Sequence, residues 1–190
     1  MTAGSPHEDS AYRGAVHAAA TVGRVSLRAS IARVSFGLVW AIDAGLKWRP
    51  SFIDSFAAQV TAAGAGQPGW LHAWFRFWSD AVTRAPRPFA YTTALVESII
   101  AAALILGVGR RPIYLLGMLW SLAIWSVPEG FGGPYTADST DIGTGISYAF
   151  FFLFLYAIDA EAGAGAGSLD QVLERRAAWW RTVARPRRHP

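Results

Sequence analysis

The sequence predicts an all-α integral membrane protein: a four-helix bundle with interfacial helices in its first outer loop. Of the 190 residues, 53% are hydrophobic and only 16% are charged, against about 25% charged in an ordinary soluble domain. Four stretches approach the ~20 apolar residues that cross a bilayer. The second and fourth carry no continuous polar face, whereas a surface helix of a soluble bundle would show one. A soluble helical bundle with unusually apolar helices is the alternative.

The four predicted spans follow one another with connections of very different length. The third is the shortest, but Arg110 and Arg111 can snorkel at its start, and Trp120 and Trp125 suit an interfacial belt. Small residues such as Gly37, Gly45, Gly117 and Gly145 are expected at close helix contacts. The spans cover residues 25–48, 89–108, 112–127 and 142–158.

Basic residues predict the orientation of the chain in the cell membrane. Arginines before the first span, Arg110 and Arg111 in the second connection, and six arginines after residue 170 lie on one side if there are four spans. Basic flanks favour the cytoplasmic side, so both termini are predicted to be cytoplasmic. Lys47 and Arg49, at the other end of the first span, weaken the contrast.

The regions outside the spans define the predicted domain organisation. A polar N-terminal segment (1–23) without the apolar run of a secretory signal precedes the membrane domain (24–160). A glycine-rich flexible linker (161–168) leads to a basic amphipathic tail (169–190), which we expect on the inner leaflet against anionic lipid. The basic residues form no stripe on a soluble module, so nucleic acid is not an expected partner.

The first outer connection contains two short amphipathic segments. Phe52, Phe56 and Val60 lie on one face of a helix near residues 51–60, and an aromatic stripe follows near residues 70–82. The second segment is either an interfacial helix at headgroup level or an aromatic lid over a site at the outer surface.

Three charged residues lie inside the predicted spans, where each costs roughly 2.5–3.5 kcal/mol on insertion scales. Asp43 forms an i,i+4 pair with Lys47, which neutralises it near the outer interface. Arg33 either snorkels or pairs across the bundle. Glu97 is too deep to snorkel, so it is either protonated or paired, with Arg33 as the expected partner. A structural pair, a proton relay and a ligand site are all open for Glu97.

The third connection, PEGFGGPYTADSTDIGTG (128–145), carries more glycine and more acid than a turn requires. Asp141 precedes the fourth span, where an acid caps a helix. Glu129 follows the third span, where a negative charge opposes the helix dipole. Held close together, the two carboxylates could share a proton, bind a cation or pair with a basic group of the first outer loop.

The motifs EGFGGPY and TDIGTGISYAFFFLFL resemble the DoxD branch of the DoxX-like family, the small subunit of thiosulfate:quinone oxidoreductase. The stretch RVSFGLVWAIDAGLKW is similar to that family's first helix, and the resemblance covers residues 25–160. It implies a membrane subunit that passes electrons from a sulfur compound towards quinone. The chain has no cysteine, no haem ligand pair, no flavin motif and no metal-ligand spacing among its histidines. A second subunit or a sulfurtransferase-type partner would therefore supply the redox centre.

The candidate site residues come from the charged positions inside the predicted spans and from the third connection. Candidate catalytic residues are Glu129, Asp141 and Glu97. Two alternatives remain: a non-catalytic membrane scaffold that recruits redox or sulfur-handling enzymes, and a small-solute or proton transporter using Glu97. Candidate quinone-binding residues are Arg33, Asp43, Lys47, Trp125, Gly132 and Gly133, with no metal site.

Overall fold

A computed structural model of the chain describes residues 6–137, 139–162, 168–176 and 179–180. All the regular secondary structure in these ranges is helical, which confirms the predicted all-α class. Two short 3₁₀ turns, Gly69–Leu71 and Gly130–Gly132, accompany the α-helices. The α-helices are α1 (Pro6–Lys47), α2 (Pro50–Ala62), α3 (His72–Arg84), α4 (Pro86–Leu106), α5 (Arg110–Ser126), α6 (Thr144–Ala162) and α7 (Leu169–Arg176).

Prolines and glycines set several of these boundaries. Pro50 and Pro86 occupy first helical positions, where a fixed φ and a missing N–H cost nothing. Gly107 and Gly109, with φ of +68° and +57°, end α4 and precede α5. Both adopt the left-handed conformation that glycine tolerates best, so two long helices are joined by a tight turn.

Helices α1, α4, α5 and α6 pack around one core, with α1 against α4 and α5 against α6 as the closest pairs. Phe36, Trp40 and Phe152 are among the side chains at its centre. Gly37 faces α4 and Gly117 faces the Phe152 ring, as expected of small residues at close contacts. The same expectation was wrong for Gly45, around which there is open space.

Two helices are long and apolar enough to cross a membrane, Ser26–Lys47 within α1 and α4 itself. Only 28% and 39% of the residues in their apolar windows are buried within the protein, whereas the core helix of a soluble protein would be mostly buried. The third and fourth predicted spans are also helices, but they are shorter than the two helices above: α5 has 17 residues, and the apolar part of α6 is Thr144–Ala160.

The first outer connection folds as the two predicted short helices. Helix α2 buries Ile53, Phe56 and Val60 against α3 and α4, so Ile53 takes the place predicted for Phe52. These helices and the 127–143 segment lie at the same end of the four long helices, which we term the loop end. The α4–α5 turn marks the opposite end, termed the turn end.

The regions flanking the bundle differ from their predicted bounds. Helix α1 begins at Pro6, so most of the predicted polar N-terminal segment is helical, and residues 1–5 lie outside the described residues. Most of the predicted linker (163–167) and the chain after residue 180 also lie outside them. The described part of the tail packs on protein, where the sequence predicted lipid: the Asp170 carboxylate accepts the backbone N–H groups of Gly109 and Arg110 at the turn end.

Candidate functional site

The two acids predicted to form an outer site both bind backbone N–H groups of the loop end. Glu129 Oε2 accepts a hydrogen bond from Gly145 N at 2.8 Å, and Asp141 Oδ1 accepts one from Gly143 N at 2.8 Å. Since α6 begins at Thr144, Glu129 is the acid that caps its first turn. The sequence assigned this role to Asp141, because the return of the loop over the α6 N-terminus was not visible in it. There the charge of Glu129 complements the helix dipole.

The GFGGP turn docks the loop onto α3. Residues 130–132 all have positive φ, 59°, 59° and 74°, an unusual and strained conformation for a phenylalanine. This run places the Phe131 ring among three aromatic rings, with centroids 5.1 Å from Trp125, 6.1 Å from Phe75 and 6.3 Å from Trp74. Aromatic packing therefore holds the turn in place.

Three residues predicted to bind quinone have packing partners in the same loop. A side chain at Gly132 would overlap the Ile142 carbonyl, and Gly133 N donates to Gly130 O at 3.0 Å. Trp125 Nε1 donates to Ile142 O at 2.7 Å. Loop closure accounts for all three positions.

Arg33 caps the C-terminus of α4. The sequence had predicted a pair between Arg33 and Glu97, and this pair does not form. The buried guanidinium donates through Nη1 to the carbonyl of Leu104 and, at 3.1 Å, to that of Ile105. Because α1 and α4 run antiparallel, Arg33 lies near the turn end of α4 and another cation faces Glu97. That cation is Lys47.

Asp43, Lys47, Glu97 and Trp120 form a group in the bundle interior that we term the Glu97 cluster. Lys47 Nζ lies 3.6 Å from Glu97 Oε2 and 2.8 Å from Asp43 Oδ1. Glu97 is fully buried. The Trp120 indole lies beside the carboxylate, although its geometry falls short of a hydrogen bond. The structure thus joins the Asp43–Lys47 pair, predicted to be local, to the buried acid of α4.

Several buried polar atoms of the four long helices lack hydrogen-bond partners in the described structure. They are both carboxylate oxygens of Glu97, the Nε1 atoms of Trp40 and Trp120, and the Oγ atom of Ser121. A buried polar group left unsatisfied costs about 1–3 kcal/mol, and native proteins keep few of them. Glu97, whose two carboxylate oxygens are unsatisfied, and Trp120 therefore make the Glu97 cluster a candidate site for a ligand or a transferable proton.

An apolar cavity of ≈ 220 Å³ lies on the loop-end side of the Glu97 cluster, and we term it the Trp78 cavity. Trp120 belongs to both, and Thr93, one helical turn from Glu97, also lines the cavity. The Nε1 atoms of Trp78 and Trp120 are buried and have no hydrogen-bond partner within the described ranges. The wall is otherwise apolar and includes Phe56 and Phe89. The Trp78 cavity therefore suits a mostly apolar molecule that carries hydrogen-bond acceptors.

A second hollow of ≈ 360 Å³ adjoins this cavity, since Trp78 lines both. Trp74, Trp125 and Phe131 form part of its wall. These rings form an aromatic layer at the loop end, and both predictions for this segment, an interfacial helix and a lid, stay open. No group of three or more His, Cys, Asp or Glu side chains that could hold a metal ion occurs among the described residues.

Sequence reasoning missed Trp78 and Trp120 as members of the site. A tryptophan in an apolar segment resembles an interfacial anchor, and nothing in the sequence tells whether its N–H finds an acceptor. That depends on which carbonyl the neighbouring helix presents, so no sequence signal could have found these residues.

Comparisons with models of known protein families, with curated proteins and with solved structures gave no match. The resemblance to the DoxD branch therefore rests on the motifs quoted above and remains a prediction.

Proposed function

We propose that this chain is an integral membrane subunit of a quinone-linked oxidation of a sulfur compound, similar to thiosulfate:quinone oxidoreductase. The observation that carries the proposal is the Trp78 cavity, an apolar space lined by Trp78 and Trp120, whose indole N–H groups lack partners in the described structure, beside a buried carboxylate. The resemblance of residues 25–160 to the DoxD branch supplies the substrate classes.

Support for four membrane spans comes from the outer surfaces of the long helices. Each of α1, α4, α5 and α6 exposes large apolar side chains, examples being Ile42, Leu95, Leu119 and Phe154. Monomeric soluble proteins rarely expose contiguous apolar surface on this scale, whereas lipid-facing helices require it. Both termini are then cytoplasmic and the loop end faces outwards.

The proposed fit of a quinone depends on the hydrogen-bond donors of the Trp78 cavity and on the shape of that cavity. A quinone ring is flat, largely apolar and carries carbonyl acceptors; when bound, it accepts electrons and protons. Trp78 and Trp120 would donate to these carbonyls, and Glu97 behind Trp120 would hold a proton close to the site. The chain itself contains no cysteine, so we assign the sulfur chemistry and the electron donor to a partner subunit.

Quinone binding is tested on the full-length protein in lipid nanodiscs by calorimetric titration with a short-chain ubiquinone. Ala123 lines the cavity, and Ala123→Phe is expected to abolish binding by filling it. Trp78→Phe keeps the ring but removes one donor, so affinity should fall about two- to tenfold. The matched control is Ala102→Phe on the exposed side of α4, which should bind as the wild type does. Unchanged affinity in Ala123→Phe would contradict the assignment of the cavity.

Activity is tested as thiosulfate-dependent quinone reduction in membranes that contain the chain with its neighbouring gene products. Glu97→Gln should lower the rate, whereas Asp54→Asn, an exposed acid of α2, should not. No activity with the wild-type chain would overturn the sulfur-oxidation role. A scaffold, in contrast, would tolerate Glu97→Gln and bind no quinone.

A further inference from the structure

A chain of three titratable groups leads from the bundle interior to its surface near the loop end. The exposed fraction of the side chain rises from 0% at Glu97 to 20% at Lys47 and 38% at Asp43. One ammonium group lies within 4 Å of both carboxylates, 3.6 Å from Glu97 and 2.8 Å from Asp43. Lys47 is the last residue of α1, so its side chain stands where the helix meets the loop-end layer.

We propose that Lys47 carries protons between Asp43 and Glu97, so that Glu97 exchanges its proton with the loop end of the molecule. The Lys47 ammonium transfers a proton to the Glu97 carboxylate: an N–H bond breaks and an O–H bond forms. A neutral amine and a neutral acid result. Hydronium at the surface then protonates the Asp43 carboxylate, and Asp43 passes this proton to the amine, so that Lys47 and Asp43 return to their charged forms. One proton moves inwards and no electrons are transferred.

The surroundings of Lys47 suit a shuttle. Its ammonium rotates on a flexible four-carbon stem, so moving from the 2.8 Å partner to the 3.6 Å partner needs only a change of side-chain torsion. The Phe52 ring, 5.4 Å from Nζ, stabilises the charged form by a cation–π contact. The backbone beside it is held by the hydrogen bond from Trp48 Nε1 to Ser98 Oγ at 3.0 Å. A mobile side chain therefore stands on a fixed helix end.

The groups that act on Glu97 come from three other helices. Lys47 and Asp43 of α1 and the Trp120 indole of α5 act on its carboxylate, and Tyr148 of α6 interacts with the same charges. Arg33 is engaged by the α4 carbonyls, so in the described structure the only ion pair of Glu97 is with Lys47. The proton route thus leads from Glu97 through Lys47 and Asp43 to the surface near the loop end. It rests on the proposed membrane placement and would supply the proton for the proposed quinone site.

The test follows the protonation of Glu97 in the full-length protein in lipid nanodiscs by time-resolved infrared spectroscopy after a rapid fall in pH. The carboxylic acid C=O band of Glu97 is assigned by its loss in Glu97→Gln. Asp43→Asn and Lys47→Met should slow the appearance of this band by roughly 100-fold, the scale of general acid–base assistance. Its final amplitude should persist.

Lys47→Arg separates a relay from a structural ion pair. Arginine preserves the positive charge between the two acids but does not release its proton. A relay therefore predicts slow protonation in Lys47→Arg, whereas simple pairing predicts the wild-type rate. Asp54→Asn is the control for a surface acid on the same end, and it should leave the rate unchanged. Thermal unfolding, followed by tryptophan fluorescence, confirms that each variant is folded.

Two results would overturn the relay: a wild-type rate in both Lys47→Arg and Asp43→Asn, or the absence of any Glu97 acid band across the pH range. No quinone is present in this experiment. Its outcome is therefore independent of the calorimetric test of the Trp78 cavity, and either idea can fail without the other.

Discussion

Two regions of the molecule bury carboxylates, and they treat them in opposite ways. At the turn end, Asp170 accepts hydrogen bonds from Gly109 N, Arg110 N, Arg110 Nε and Trp180 Nε1, all between 2.8 and 3.1 Å. Arg110 also forms an ion pair with Asp159. In the bundle interior, Glu97 is equally buried, yet neither of its oxygens accepts a hydrogen bond within the described structure.

The difference separates a structural charge from a functional one. Removing a carboxylate from water is costly at either place, and hydrogen bonds to the charged form offset that cost. Asp170 receives this compensation, so it locks α7 to the α4–α5 turn. Glu97 does not, so it persists at the expense of stability, which is typical of groups that bind a ligand or transfer a proton. The following predictions test this contrast through the free energy of unfolding, measured in mixed detergent micelles by tryptophan fluorescence.

The largest effect is expected at the turn end. Asp170→Ala should lower the free energy of unfolding by about 3–5 kcal/mol, because it removes one of the two buried ion pairs of Arg110 and the acceptor of the Gly109 and Arg110 backbone N–H groups. Asp54→Ala, an exposed acid of α2, serves as the control and should change it by less than about 0.5 kcal/mol. A loss as small as the control's would mean that Asp170 is no more structural than a surface acid.

Arg33 should show the next largest effect. Arg33→Met preserves much of the apolar stem but leaves the Leu104 and Ile105 carbonyls without their donor. Hydrogen bonds from charged groups are worth about 1.5–3 kcal/mol, so the free energy of unfolding should fall by that amount. If Arg33 instead formed an ion pair with Glu97, as the sequence suggested, combining Arg33→Met with Glu97→Gln would restore the free energy of unfolding.

Glu129 provides an intermediate case at the loop end, a half-buried carboxylate with one backbone N–H bond to α6. Glu129→Ala should cost about 1 kcal/mol, the usual value for losing a helix cap. Glu129→Gln should cost less, because its amide oxygen can still accept the N–H of Gly145. Equal losses in both variants would indicate that the charge of Glu129, and not its geometry, matters.

Glu97 should show the smallest effect on stability and a large one on function. Glu97→Gln is expected to unfold with a free energy equal to the wild type or higher by about 0.5 kcal/mol, since it removes a buried charge that accepts no hydrogen bond, and Lys47 keeps its ion pair with Asp43. A loss comparable to that of Asp170→Ala would show that Glu97 is a structural group like Asp170, and the contrast would disappear.

The fold was largely predictable because its signals are local. Composition, apolar runs and the glycines and prolines between them placed the four long helices and the two short ones to within a few residues, except that α1 begins at Pro6, well before the predicted span. The site was less predictable. Glu97 stood out as a charge in an apolar run, and the Asp43–Lys47 pair stood out by its spacing. Glu129 was misread because its partner is a helix that begins 15 residues later in the chain, and Arg33 was given the wrong partner.

The sequence by itself determined which segments are helical and which of them are apolar, because both depend on residues a few positions apart. Only the tertiary structure decided the partners: the antiparallel register of α1 and α4 brings Lys47, and not Arg33, opposite Glu97. The packing of four helices likewise decided which indole N–H groups find a carbonyl and which remain free at the Trp78 cavity. Hydrogen-bond satisfaction is a property of three-dimensional neighbours, and the linear pattern does not contain it.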